Sequence, residues 1–168
     1  MNVMPAASSR IVVGIGEFAV TEGETSIVTH ALGSCIAVCI WDPVVRVGGM
    51  LHLLLPESRI NPARAERQPA AFADTGIPLL FQRAYTRGLQ KPRAQVTLVG
   101  GAEISQESTE GVMNVGRRNI LAARKMLWGN GVLIRTEDVG GRRARTVAMS
   151  LQDGRIVVTA AGEPARTL

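Results

Sequence analysis

Leu32-Gly33-Ser34-Cys35-Ile36-Ala37-Val38-Cys39-Ile40-Trp41-Asp42-Pro43 is followed, across Val44 to Val47, by Gly48-Gly49-Met50-Leu51-His52-Leu53-Leu54-Leu55-Pro56. Two apolar runs flank the turn signal Asp42-Pro43. They read as antiparallel strands, Cys35 to Trp41 and Val47 to Leu55, with Pro56 ending the second. If Asp42 faces Val45 across a tight turn, Trp41 faces Arg46, Cys39 faces Gly48, Ala37 faces Met50 and Cys35 faces His52. Directly opposed side chains start about 5 Å apart, within reach for a thiol and an imidazole. The other face sets Ile36, Val38 and Ile40 against Leu51, Leu53 and Leu55. Both faces are largely apolar, so the hairpin is expected to be covered on both sides.

The stretch holds both cysteines and one of the two histidines in the chain. A free thiol is mostly protonated at neutral pH. A neighbouring imidazole that takes its proton leaves an ion pair, lowers the thiol pKa and supplies a nucleophile. The imidazole can then return a proton to a leaving group. The small residues Gly33 and Ser34, just before Cys35, permit a tight backbone whose amides face a developing oxyanion. A structural reading stands beside this one: a buried cysteine next to a core histidine is common. Cys39 is read as packing. Cys35, Cys39, His30 and His52 are the only soft ligands, and their spacing is not that of a zinc site, so no metal is expected.

The totals narrow the class. A chain of 168 residues, 46% hydrophobic and 20% charged, suits one globular domain. The net charge of +5 is carried almost wholly by arginine. These arginines are scattered and the chain is poor in aromatics, which argues against a nucleic-acid face. An acidic protein partner fits the charge. Along one strand Cys35 and Cys39 would stand roughly 13 Å apart, too far for a disulfide, so a reducing, cytoplasmic compartment is expected. The start MNVMPAASSR has no basic-then-apolar pattern of a signal peptide, and no apolar run approaches a membrane span.

Outward from the hairpin, residues 1–9 read as a flexible tail, 10–161 as the folded domain and 162–168 as a loose end. Arg10 to Val20 is β-like. Its Gly14-x-Gly16-x-x-Ala19 imitates a dinucleotide fingerprint but is followed by the turn Thr21 to Glu24, not by a helix, so no cofactor site is inferred. Thr25 to His30 is a short strand. Pro56 to Ala70, with three prolines and three arginines, reads as a mobile surface loop. Asp74 or Thr75 is expected to cap a helix with Pro78 in its first turn and an apolar stripe of Ile77, Leu80, Phe81, Ala84 and Tyr85, ended by Gly88. Ala94 to Val99 is a strand. Glu103 to Met113 shows no clear pattern. Asn114 caps a helix over Val115 to Trp128. Strands follow at Val132 to Val139, Ala144 to Leu151 and Arg155 to Ala160, the last two joined at Asp153-Gly154. The order predicts an α/β fold with mixed or antiparallel strands.

The same residues resemble the CheD family, the chemoreceptor glutamine deamidases of bacterial chemotaxis. Leu32 to Cys35 with Ala37-Val38-Cys39 and Trp41-Asp42-Pro43 is similar to the family's nucleophile segment. Gly48 to His52 with Leu55-Pro56 is similar to its histidine segment. Phe72 to Thr75 with Ile77 to Leu80, Gly100-Gly101-Ala102, Val115-Gly116 with Arg118-Asn119, and Glu137 to Gly141 with Arg145-Thr146 also match. The resemblance runs from about Val12 to Val158. It implies a single-domain three-layer α/β/β sandwich. It implies hydrolysis of receptor glutamines to glutamate with release of ammonia and without a cofactor, with esterase action on methylated glutamates as a side activity. Carried over by position, Cys35 is the nucleophile, His52 the general base and acid, and Thr29 the orienter of His52. It further implies methyl-accepting chemotaxis receptors as protein substrate and a CheC-like phosphatase as partner. A non-catalytic adaptor on receptors or on that phosphatase is the alternative. His30 stands where many relatives carry an apolar residue and is a rival base or a lining residue.

Overall fold

The structure is a computed structural model that describes residues 9–104 and 114–168. Among the described residues, ten strands form two five-stranded mixed sheets. In chain order they are β1 (Ser9–Val12), β2 (Phe18–Glu22), β3 (Thr25–Leu32), β4 (Ile36–Asp42), β5 (Val47–Leu53), β6 (Gln95–Gly100), β7 (Ile134–Val139), β8 (Arg145–Ser150), β9 (Ile156–Ala160) and β10 (Arg166–Thr167). One sheet runs β1-β3-β8-β9-β10, the other β2-β5-β4-β6-β7. The helices are α1 (Pro62–Arg67), α2 (Ala73–Tyr85) and α3 (Val115–Gly129). None of the described helices is long and apolar enough to cross a membrane.

The hairpin β4-β5 is the middle of the second sheet and is covered on both sides, as its two apolar faces require. Ile36, Val38, Ile40, Leu51 and Leu53 face α2 and α3, where they meet Ile77, Leu80, Phe81, Ile120 and Leu127. Cys35, Ala37, Cys39 and Met50 face the first sheet, where they meet Ile27, Leu32, Val147 and Met149. The order of layers is therefore helices, sheet, sheet: the three-layer α/β/β sandwich. Each fully buried Ile, Leu or Met here contributes about 1.5–3 kcal/mol. Gly49 lets α2 lie close, because a Cβ there would stand 2.8 Å from the Ala19 carbonyl oxygen and 2.9 Å from Leu80.

Four expectations are corrected. The hairpin register is Ala37↔His52 and Asp42↔Val47, two residues from the predicted one. The turn is longer because Asp42 Oδ1 accepts from the Val44 amide and Arg46 takes φ 51°. A slip of two keeps every side chain on its face, whereas a slip of one would have reversed them. Residues 56–70 are folded, not a mobile loop: a 3-10 turn (Ser58–Ile60) leads to α1 and a second 3-10 turn (Pro69–Ala71). The reason is local, since the Asn61 side chain accepts from the Arg64 amide and Pro62 occupies the first helical position.

Helix α2 starts earlier than expected, with neither Asp74 nor Thr75 as its cap. The Asp74 carboxylate accepts instead from the Ser58 amide and hydroxyl, and the Thr75 hydroxyl donates to the Pro69 carbonyl. Finally, the chain end is not loose throughout. Arg166–Thr167 pair with β9, and the Leu168 amide donates to Ile156. At the other end Ser9 already pairs with Thr25, while residues 1–8 lie outside the described residues. The Asn114 cap on α3 is as predicted, with its side chain accepting from the Arg117 amide. Most of the patternless Glu103 to Met113 segment lies outside the described residues.

Candidate active site

The chain crosses from the first sheet to the second between β3 and β4, and the crossing is the bend Gly33-Ser34-Cys35. Cys35 therefore lies between the sheets, one residue before β4, and is 6% exposed. His52 on β5 is fully buried and pairs with Ala37, so Cys35 is its diagonal rather than its direct neighbour. Diagonal neighbours are about 7–8 Å apart in the backbone. The backbone of His52 is pinned from its other edge: its amide donates to Glu17, and its carbonyl accepts from Gly16. The Gly14–Ala19 stretch thus holds the histidine strand and is followed by β2, not by a phosphate-binding helix.

Thr29 comes from β3 in the opposite sheet and is fully buried. Its hydroxyl lies 2.7 Å from His52 Nδ1 and 2.6 Å from the Val13 carbonyl oxygen. A carbonyl only accepts, so the single hydroxyl proton goes to Val13. The Thr29 oxygen must then accept from His52, which places the imidazole proton on Nδ1. Nε2 keeps its lone pair and is buried without a hydrogen-bond partner. His30, the next residue, is exposed on the other face of β3, and Ala31 follows at φ 56° in a bulge. It does not join the cluster.

Burial sets the resting protonation. It lowers the His52 pKa to about 4. It also raises the Cys35 thiol, opposed in part by the Arg64 charge and by the backbone amide of Cys35 itself. Both shifts favour the neutral forms, against the thiolate–imidazolium pair that the sequence suggests. Cys39 is pushed up to about 12 by burial alone and lies opposite Met50 and Thr97 in the core. Its role is packing. The arrangement puts a thiol and an imidazole with a free lone pair into one buried cluster between the sheets, the residue types of a thiol nucleophile and its base.

The bend is held firmly. The Gly33 carbonyl accepts from the Ala102 amide, and the Cys35 carbonyl from the Gly101 amide, each at 2.8 Å. The Ser34 carbonyl accepts from Asn119 Nδ2 at 2.8 Å. Gly100 has φ 116°, and a Cβ there would drive into the Cys35 carbonyl oxygen. All three carbonyls of the bend are occupied, and the Gly33 amide expected to face an oxyanion donates instead to the Ala31 carbonyl at 3.0 Å. Sequence reasoning gave no role to Asn119, Val13 or the 100–102 strap. The available signal for Asn119 was an amide in the middle of an apolar helix stripe, between Gly116, Ile120 and Ala123.

Fold and site define a class: a three-layer α/β/β protein with a thiol, an imidazole and a hydroxyl buried between its sheets. Residues 54–160 match the family described as CheD chemotactic sensory transduction. The chain is 45% identical over 159 residues to a probable chemoreceptor glutamine deamidase CheD 1 of Syntrophus aciditrophicus, covering 94% of this chain and 98% of that protein. It is 49% identical over 151 residues to a probable chemoreceptor glutamine deamidase CheD 2 of Anaeromyxobacter dehalogenans, covering 89% and 94%. It is 38% identical over 151 residues to the chemoreceptor glutamine deamidase CheD of Thermotoga maritima, covering 90% and 92%. The chain belongs to the CheD family.

Proposed function

We propose that this protein hydrolyses selected glutamine side chains of methyl-accepting chemotaxis receptors to glutamate, with Cys35 as nucleophile, His52 as general base and acid, and Thr29 orienting His52. The observation that carries this reading is the buried imidazole whose Nδ1 proton is held by Thr29 and whose Nε2 has no hydrogen-bond partner, one diagonal step from Cys35 in the strand register. The names of the relatives supply the substrate class.

The Cys35 thiol gives its proton to His52 Nε2 as its sulfur bonds to the amide carbon of the glutamine side chain. The tetrahedral intermediate collapses by breaking its C–N bond, and His52 returns the proton to the departing nitrogen, which leaves as ammonia. His52 then takes a proton from water as the water oxygen attacks the thioester. Breaking the C–S bond releases glutamate and restores the thiol. Cys39 takes no part. The protein acts in the cytoplasm, where the family resemblance places the receptor helices. The same resemblance supplies a CheC-like phosphatase as a binding partner.

Mass spectrometry of a receptor cytoplasmic fragment incubated with the protein tests the reading. Amide-to-acid conversion at discrete glutamines is expected with the native protein and with Cys39→Ala, and none with Cys35→Ala or His52→Ala. Conversion that persists in Cys35→Ala overturns the thiol mechanism. Receptor binding without conversion by the native protein identifies an adaptor instead.

A further inference from the structure

Asn119 is fully buried on α3, on the stripe that also carries Gly116, Ile120, Ala123 and Leu127. Both of its amide protons are used across the site. One goes to the Ser34 carbonyl at 2.8 Å, the other to the Leu54 carbonyl at 2.9 Å. Ser34 is the residue before the thiol, and Leu54 lies two residues after the imidazole. One side chain from the helical layer therefore clamps the two backbone segments that carry Cys35 and His52. Its own carbonyl oxygen, Oδ1, is buried without a partner. That is an uncompensated desolvation which an apolar residue on this stripe would avoid. The helix carries the cost at the one position where an amide reaches both segments.

The Ser34 carbonyl and the Cys35 amide belong to one peptide plane. Fixing the carbonyl fixes the direction of the N–H, because the plane is rigid. The backbone amide of Cys35 acts on its own thiol, favouring the charged sulfur against the larger effect of burial. A carbonyl attacked by that sulfur would develop its negative oxygen beside the same N–H. A donation to the Ser34 carbonyl also polarises the peptide and strengthens the amide as a donor.

We propose that Asn119 is a positioning residue: it locks the Ser34–Cys35 peptide so that the Cys35 amide faces the oxyanion, and it fixes that peptide against the strand carrying His52. The assignment rests on the thiol mechanism above. Asn119 touches neither substrate nor sulfur and acts through the backbone it holds.

Asn119→Ala and Asn119→Ser are to be compared with the native protein, each below its own melting transition and normalised to titratable active-site thiol. Two readouts are taken. The first is steady-state deamidation, where a fall in kcat of about 10²–10³-fold with KM little changed is expected for loss of an aligned oxyanion donor. The second is the pH profile of Cys35 alkylation by iodoacetamide, expected to move to higher pH as the Ser34–Cys35 peptide loses its fixed direction. Native kcat and a native alkylation profile in either folded variant overturn the assignment. Failure of both variants to fold also overturns it, since Asn119 would then serve the fold alone. The alkylation readout keeps the two proposals apart. If the native protein converts no glutamine while the alkylation profile still shifts in the variants, the deamidase reading fails and the positioning of Cys35 by Asn119 stands.

Discussion

The hairpin β4-β5 has a buried polar group at each end, and the two are treated in opposite ways. At the turn end, Asp42 is fully buried and fully answered: it accepts from the Val44 and Gln90 amides and from the Arg93 guanidinium at 2.7–3.0 Å. Burial alone would raise its carboxyl. The Arg93 hydrogen bonds, the two amides and the Arg93 charge outweigh that and hold it below the usual carboxylate range. At the open end, His52 is equally buried but keeps Nε2 unanswered, and Asn119 keeps Oδ1 unanswered. A polar group that serves only the fold is satisfied, because an orphaned one costs about 1–3 kcal/mol. A group that must accept a proton during a reaction has to keep a lone pair available. The contrast separates structure from chemistry along a single pair of strands.

The sharpest break of that contrast is His52→Gln, which keeps a polar side chain of similar bulk and removes the base. Deamidation of a receptor fragment is expected to fall by about 10²–10⁴-fold. Urea unfolding at neutral pH should change little by comparison. Asp42→Asn is expected to do the reverse. It removes the charge of a buried carboxylate whose partner Arg93 reaches solvent, which costs about 1–3 kcal/mol in urea unfolding. Turnover per folded molecule should stay near the native value, since Asp42 lies at the far end of the hairpin. A native-like stability for Asp42→Asn, or a deep loss of turnover in its folded fraction, would erase the distinction between the two ends.

Acid sharpens the comparison next. The folded imidazole has its pKa lowered to about 4, against the ordinary 6.5. Between these values the unfolded chain binds a proton that the folded chain refuses, so stability falls as pH falls. Across the window the loss amounts to about 3 kcal/mol, and above pH 6.5 the histidine exerts no pH dependence. The Asp42 carboxyl is depressed instead. Its contribution is present above the ordinary carboxylate value and is lost only at lower pH, as the solution passes its folded value. Urea titrations of the native protein and His52→Gln from pH 7 to pH 4 should therefore diverge in slope below 6.5. Parallel curves would mean that His52 is not held neutral.

Much of this was legible in the sequence, and the reasons differ from place to place. Alternation in β4 and β5 fixed which side chains share a face, and the even register slip left that assignment intact. The slip itself was hidden, because the length of the turn depends on an Asx hydrogen bond at Asp42 and on a left-handed Arg46. The proline-rich segment after Pro56 looked like a loop because Asn61-Pro62 signals both a turn and a helix start. Only packing against the rest of the fold chooses between them. Cys35 and His52 were visible as residue types close in sequence. Thr29 was supplied by family resemblance alone, since no local pattern connects it to a histidine 23 positions later. Asn119 lies 85 positions from Ser34, and nothing short of the tertiary fold brings the two together. Sequence spacing shows proximity but not depth of burial, and it is burial that favours the neutral thiol and imidazole over an ion pair.

The smallest expected effect concerns Thr29, and it probes how the open end is kept open. The threonine hydroxyl spends its proton on Val13 and so must accept from His52 Nδ1. Thr29→Val preserves shape and removes the oxygen. The Nδ1 proton then has no acceptor, and the ring loses the constraint that aims Nε2. A decrease in kcat of about 10–100-fold is expected, within the range seen when the group that supports a base is removed. Thr29→Ser retains the oxygen and should restore most of the rate, although it deletes a buried methyl group and lowers stability by about 1 kcal/mol. Thr29→Val also leaves the Nδ1 proton and the Val13 carbonyl buried without partners, at about 1–3 kcal/mol each, so turnover is compared per folded molecule, where valine should be slow and serine near native. If instead both variants lose rate in proportion to their loss of stability, Thr29 is a packing residue and the tautomer of His52 must be fixed by something other than its hydroxyl.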